Sequence, residues 1–131
     1  MKAYVTCPIS ITNQRLPLLA QVKDLVKSKG IDTFTFNIAG TPRHVFEKDY
    51  EQLKQSDLLI VEVSEPSHGV GVLIGLSYSL GLKRILLLRK GRSLTKIAPG
   101  IPKTLVIEYE DIDDLKEKLD QVLTNIENLS Q

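Results

Sequence analysis

Residues 57–89 read DLLIVEVSEPSHGVGVLIGLSYSLGLKRILLLR, and this stretch decides the fold. It holds two short runs, Asp57–Val63 and Arg84–Arg89, that are apolar on both alternating sets of positions. Strands with that pattern are covered on both faces, as in a parallel sheet, because a half-exposed strand alternates apolar with polar. Val70–Leu82 lies between them with helical length and composition. A strand, a crossover helix and a second strand make a right-handed unit of parallel type.

Working outward, the same alternation extends to both ends of the chain. Lys2–Cys7, Ile31–Phe36 and Thr104–Ile107 have strand length and β-branched composition. Leu16–Lys29 carries Leu18, Leu19, Val22, Leu25 and Val26 on one face, with Gly30 where a helix-ending residue belongs. Arg43–Ser56 follows Thr41-Pro42 as a second helix, and Asp111 to about Leu129 forms the last, opened by acidic residues that suit a helix N-terminus. The pattern predicts a flavodoxin-like doubly wound α/β domain over residues 1–131, with a five-stranded parallel sheet ordered 2-1-3-4-5 and helices on both faces. Ligands of such sheets bind beyond the carboxyl ends of the strands where the order reverses, here between strands 1 and 3. That directs attention to the loops Pro8–Arg15 and Ser64–Gly71.

Composition narrows the function classes. Lys and Arg total 17 against 16 Asp and Glu, a net charge of +1, so neither nucleic acid nor a membrane surface is expected as a partner. One Cys and two His argue against a zinc site built on those ligands, and no cofactor is expected. The lone Cys7 cannot form an internal disulfide and reads as a small buried residue with no cationic neighbour evident. With no signal-like apolar run at the start and no long apolar stretch, the expected compartment is the cytoplasm.

Three features carry chemistry. The segment Ser64-Glu65-Pro66-Ser67-His68-Gly69-Val70-Gly71 ends a strand and opens a helix, so its backbone N–H groups favour an anion, with Ser67 adding a hydroxyl. The same residues also fit a plain helix-opening turn, in which Ser67 caps and the glycines serve packing. Asp49 falls on the apolar arc of its helix with Val45, Phe46, Tyr50 and Leu53, where a carboxylate is costly unless bonded or used in proton transfer. The alternative is an edge position that reaches water. The third helix sets Gly71, Gly75 and Ser79 in one stripe, which suits either a homodimer through that helix or burial within one domain. The heptad-like spacing of the last helix covers too few turns for a coiled coil and suits packing on the sheet.

Asp49, then Asp57–Gly71 with its E-V-[ST]-x-P-S-x-G-V-G pattern, then Gly75, resembles the nucleoside 2-deoxyribosyltransferase family, in particular the 2′-deoxynucleoside 5′-monophosphate N-glycosidase branch. Weaker similarity runs from Tyr4 to about Gly100. The resemblance implies cleavage of the bond between a base and a deoxyribose, with a small-molecule nucleotide as ligand. It implies phosphate contacts at Ser67 and Gly69, an acid at Asp49, and a sugar-side tyrosine at Tyr4. Gly71, which would let a phosphate approach the backbone closely, and His68, in the same crevice loop, are candidate ligand contacts on the reading of the residues alone. Thr95 matches a Ser that reaches a neighbouring subunit's phosphate. Ile9 and Ser10 belong to the implied ligand loop, and Ser10 stands where the hydrolases carry a phosphate-binding Arg, for which Arg15 or Arg43 could substitute.

The family nucleophile is a Glu in G-V-G-x-E-x-G, and this chain has Leu73 at that position. Leucine can neither attack carbon nor stabilise a cationic sugar. Losing a positioned acid or base costs roughly 10²–10⁴ in rate, and losing the nucleophile removes the covalent route. The expected function is therefore binding of a nucleoside 5′-monophosphate or similar phosphosugar, with N-glycosidic cleavage lost or much weakened. An active N-glycosidase using Asp49 or a relocated carboxylate (Glu47, Glu62 or Glu65), and a dimeric structural module without ligand, are the alternatives.

Overall fold

A computed structural model describes residues 1–8, 16–34 and 40–126. In chain order the elements are β1 (Lys2–Thr6), α1 (Leu16–Ser28), β2 (Asp32–Phe34), α2 (Pro42–Lys54), β3 (Leu58–Glu62), α3 (His68–Ser79), β4 (Lys83–Arg89), a short 3-10 turn (Ala98–Gly100), β5 (Thr104–Tyr109) and α4 (Ile112–Thr124). The five strands pair in parallel in the order β2-β1-β3-β4-β5, the flavodoxin-like arrangement read from the sequence.

Strand side chains alternate between the two faces, and the core divides accordingly. Ala3, Val5, Leu58, Ile60, Ile85 and Leu87 meet α1 and α4 through Val22, Val26, Leu115 and Leu119. Tyr4, Leu59, Val61, Leu86 and Leu88 meet α2 and α3 through Leu53, Val70 and Ile74. The starts of α2, α3 and α4 each supply an acceptor for an otherwise unbonded amide: Thr41 accepts from His44 N–H at 3.2 Å, Ser67 from Val70 N–H at 3.2 Å, and Asp111 from Asp114 N–H at 2.8 Å.

Several boundaries differ from the sequence reading. α3 starts at His68 rather than Val70, because Ser67 takes the capping position two residues earlier than the apolar pattern suggests. It stops at Ser79, short of Leu82. β5 continues to Tyr109, since Glu108 and Tyr109 keep pairing with Leu88 and Arg89 of β4. The connection before β5 contains the Ala98–Gly100 turn, which buries Ala98 in the α2/α3 half of the core. α4 ends at Thr124, short of the expected Leu129, and residues 35–36 of the expected second strand and 127–129 lie outside the described residues. No helix among the described residues is long and apolar enough to cross a membrane.

Candidate active site

A cavity of about 590 Å³ opens between β1, α2 and α3. β1 is the strand beside β3 at the reversal of strand order, so the cavity lies at the expected switch point. Tyr4, Thr6 and Cys7 line it from the end of β1, and Gly40, Pro42, Val45, Phe46 and Asp49 from α2 and the residues before it. Ser67, Gly69, Val70, Val72 and Leu73 close the third side.

Tyr4 and Asp49 meet across the floor. The Tyr4 ring is buried, and its hydroxyl donates to Asp49 Oδ1 at 2.6 Å. Burial raises the Tyr4 hydroxyl pKa far above its ordinary value, and the bond to Asp49 and that carboxylate's charge push it the same way. Tyr4 therefore stays protonated and serves as a donor that fixes the direction of the Asp49 carboxylate. The apolar helix face that singled out Asp49 is real, and the carboxylate is half-buried there and hydrogen-bonded rather than turned fully to water.

The turn opening α3 brings Ser67 and Gly69 to the opposite wall. Ser67 is the helix cap, and as an acceptor from Val70 N–H it keeps its own hydroxyl hydrogen for another partner. A Cβ built on Gly71 or Gly75 would meet nothing within 4 Å among the described residues, so no packing against those residues requires a glycine at either position. His68 and Gly71 are exposed and are not among the lining residues. Thr95 sits in an exposed loop, its hydroxyl accepting from Ile97 N–H at 3.3 Å, and does not line the cavity either. Ile9, Ser10 and Arg15 lie outside the described residues. Arg43 projects from α2 into solvent and pairs with Glu47 at 3.0 Å, away from the cavity lining.

Leu73 lines the cavity from α3 and packs against the α2/α3 half of the core. None of the three carboxylates weighed as relocated replacements lines the cavity. Glu62 is turned to the other face of the sheet, against Leu18, Leu19 and Val22 of α1, because it shares strand phase with Leu58 and Ile60. Asp49 is the sole Asp or Glu among the described lining residues.

Thr6, Val45, Phe46 and Val72 line the cavity without having been singled out from the sequence. Thr6 shares strand phase with Tyr4, and Val45 and Phe46 lie one turn before Asp49, so the two legible residues carried the signal for their neighbours. Phe46 stacks on Tyr50 with ring centroids 5.8 Å apart and stays about half exposed at 49%. Cys7 is buried as expected, yet it does have a cationic neighbour, since its sulfur interacts electrostatically with Lys23 of α1. The arrangement brings the start of α3, a carboxylate oriented by Tyr4, and the apolar side chains Val45, Phe46 and Val72 around one cavity.

No protein-family model matches the chain. It is 31% identical over 136 residues to 2′-deoxynucleoside 5′-phosphate N-hydrolase 1 of Thermofilum pendens, a match covering 94% of this chain and 95% of that protein. It is 40% identical over 65 residues to the 5-hydroxymethyl-dUMP N-hydrolase of Homo sapiens, covering 47% of this chain and 37% of the human protein. Among solved structures, the CMP N-glycosidase BcmB of Clostridium botulinum matches with a TM-score of 0.78 at 22% identity, over 92% of this chain and 98% of that one. A 2-deoxyribosyltransferase from Bacillus psychrosaccharolyticus matches with a TM-score of 0.68 at 19% identity, over 88% of this chain and 90% of that one. At those identities the two structures speak to the fold, which they share with this chain.

Proposed function

The chain belongs to the 2′-deoxynucleoside 5′-phosphate N-hydrolase family, and from that premise we propose that its cavity binds a nucleoside 5′-monophosphate or similar phosphosugar while cleaving the N-glycosidic bond slowly or not at all. The observation that carries this reading is the wall formed by Leu73, in a cavity whose described lining includes one carboxylate, Asp49. The stretches 9–15 and 35–39, which lie outside the described residues, contain no Asp or Glu.

The physical argument runs from the phosphate inward. Ser67, Gly69 and the first amides of α3 suit a phosphate, because a helix N-terminus presents unbonded N–H groups and a partial positive charge. Val45, Phe46 and Val72 suit the apolar faces of a base and sugar. Breaking the glycosidic bond needs assistance to the departing base and negative charge beside the anomeric carbon. Asp49, oriented by Tyr4, can serve one of these ends. Leu73 cannot serve the other, so neither a covalent sugar intermediate nor base exchange through it is expected.

Isothermal titration with deoxynucleoside and ribonucleoside 5′-monophosphates tests binding, with saturation expected at or below about 1 mM. No heat with any of them ends the reading. Chromatography for free base tests the chemistry: Leu73→Glu should raise base release by at least roughly 10²-fold, and Asp49→Asn in that background should remove it. Wild-type release at on the order of 1 s⁻¹ or faster would favour the second reading, a working hydrolase. That reading draws on the intact Tyr4–Asp49 pair and requires water to attack without a carboxylate at Leu73.

A further inference from the structure

Glu62 is 2% exposed at the carboxyl end of β3, and the chemistry proposed above makes no use of it. Its Oε1 accepts from the Ser64 backbone N–H at 2.7 Å, and its Oε2 accepts from the Ser64 hydroxyl at 2.7 Å and from the Tyr109 hydroxyl. Ser64 Oγ accepts in turn from the Arg89 backbone N–H at 2.8 Å. One carboxylate thereby ties the ends of β3, β4 and β5 to the first residue of the turn that leads into α3. None of the salt bridges among the described residues includes Glu62. A buried carboxylate without such a partner costs stability that an apolar residue at a sheet end would not, whereas a fully bonded polar network fixes geometry. Only Glu65 and Pro66 separate Ser64 from the helix cap, and the proline ring restricts the connection further.

We propose that Glu62 is a positioning residue, whose carboxylate clamps Ser64 so that Ser67 and the amides opening α3 face the cavity and take the 5′-phosphate of the ligand. The proposal rests on the reading of the cavity as a nucleotide site. It acts through the turn and not by contact, since Glu62 lies on the other face of the sheet.

The test compares wild type with Glu62→Ala, Glu62→Gln and Tyr109→Phe, titrated with 2′-deoxyuridine 5′-monophosphate and with 2′-deoxyuridine. Glu62→Ala should weaken the monophosphate at least about tenfold while the unphosphorylated nucleoside changes less than about twofold. Glu62→Gln keeps an acceptor for the Ser64 N–H and should recover most of the loss. Equal losses for both probes, or no loss for either, overturn the proposal. Amide hydrogen exchange gives a reading that needs no ligand: residues 64–70 should exchange faster in Glu62→Ala while β1 does not change. Should that variant fail to fold, Tyr109→Phe, which deletes one hydroxyl, must show the same local acceleration, and unchanged exchange there overturns the clamp. If wild type binds neither probe, the reading of the cavity falls, and the exchange result alone decides the role of Glu62.

Discussion

The Tyr4 ring packs among Leu59, Val61 and Leu86 in the α2/α3 half of the core, and its hydroxyl emerges from that packing at Asp49. The folded chain therefore holds the phenolic proton more tightly than the unfolded chain, whose tyrosines titrate near 10.0. A pKa raised on folding contributes stability that is fully present below the unfolded value and is lost as pH climbs through the range above it. Between pH 10 and pH 11 the unfolding free energy of wild type should fall more steeply than that of Tyr4→Phe, by up to about 1.4 kcal/mol per pH unit. Urea titrations of both proteins across that interval measure the difference, and parallel slopes would contradict it. The two partners were unequally legible. Asp49 announced itself as a charge on an apolar helix face, whereas a tyrosine in an apolar strand looks like any core residue. Periodicity gives no sign that its hydroxyl emerges at a carboxylate, because a contact across 45 residues of sequence is a product of the fold.

Among the elements, α3 depends on a group that the strand pattern hides. Arg84 reads as the polar edge of an apolar run, yet it is 1% exposed. Its Nε donates to Thr104 Oγ1 at 2.8 Å, its Nη1 to Ser77 Oγ at 3.1 Å and to the Leu82 carbonyl at 2.8 Å, and its Nη2 to the Pro102 carbonyl. One planar cation thus binds the end of α3, the entry to β4 and the turn before β5, and no local spacing rule foresees four acceptors converging from such separated segments. Element type was legible because doubly covered strands and a nearly all-apolar helix differ in length and composition. Helix starts were less so: the apolar run that marks α3 begins at Val70, and capping by Ser67 is one of two readings until its bond to Val70 N–H is seen. Arg84→Met keeps the apolar stem but strips the Leu82 and Pro102 carbonyls of this donor. It should cost about 3 kcal/mol in denaturant unfolding, with Arg84→Lys little better because an ammonium cannot span the fork. A loss under about 1 kcal/mol for Arg84→Met would mean that water replaces the guanidinium easily.

At the scale of the molecule, α3 covers the sheet on one side and is open on the other. Val72 is 53% exposed and Tyr78 57%, unusual for large apolar side chains on the most apolar helix of the chain. Gly71, Gly75 and Ser79 are exposed beside them. An added Cβ at Gly75 would meet nothing among the described residues, so their packing gives the small size of that residue no use. The expected homodimer supplies one: two α3 helices related by a two-fold axis can approach closely over the glycines while Val72 and Tyr78 fill the flanks. A stable pair needs roughly 800 Å² buried on each partner, so neighbouring surface must join the helix. Gly75→Arg separates the two accounts, since it leaves the monomer's packing untouched and improves helix propensity by up to about 1 kcal/mol. Sedimentation should find wild type at twice 14.6 kDa and Gly75→Arg at 14.6 kDa, with the variant still unfolding cooperatively at a melting temperature that no longer depends on protein concentration. A wild type that stays at the single mass even when concentrated, or an arginine variant that remains paired, removes the dimer and leaves the open face of α3 with some other purpose.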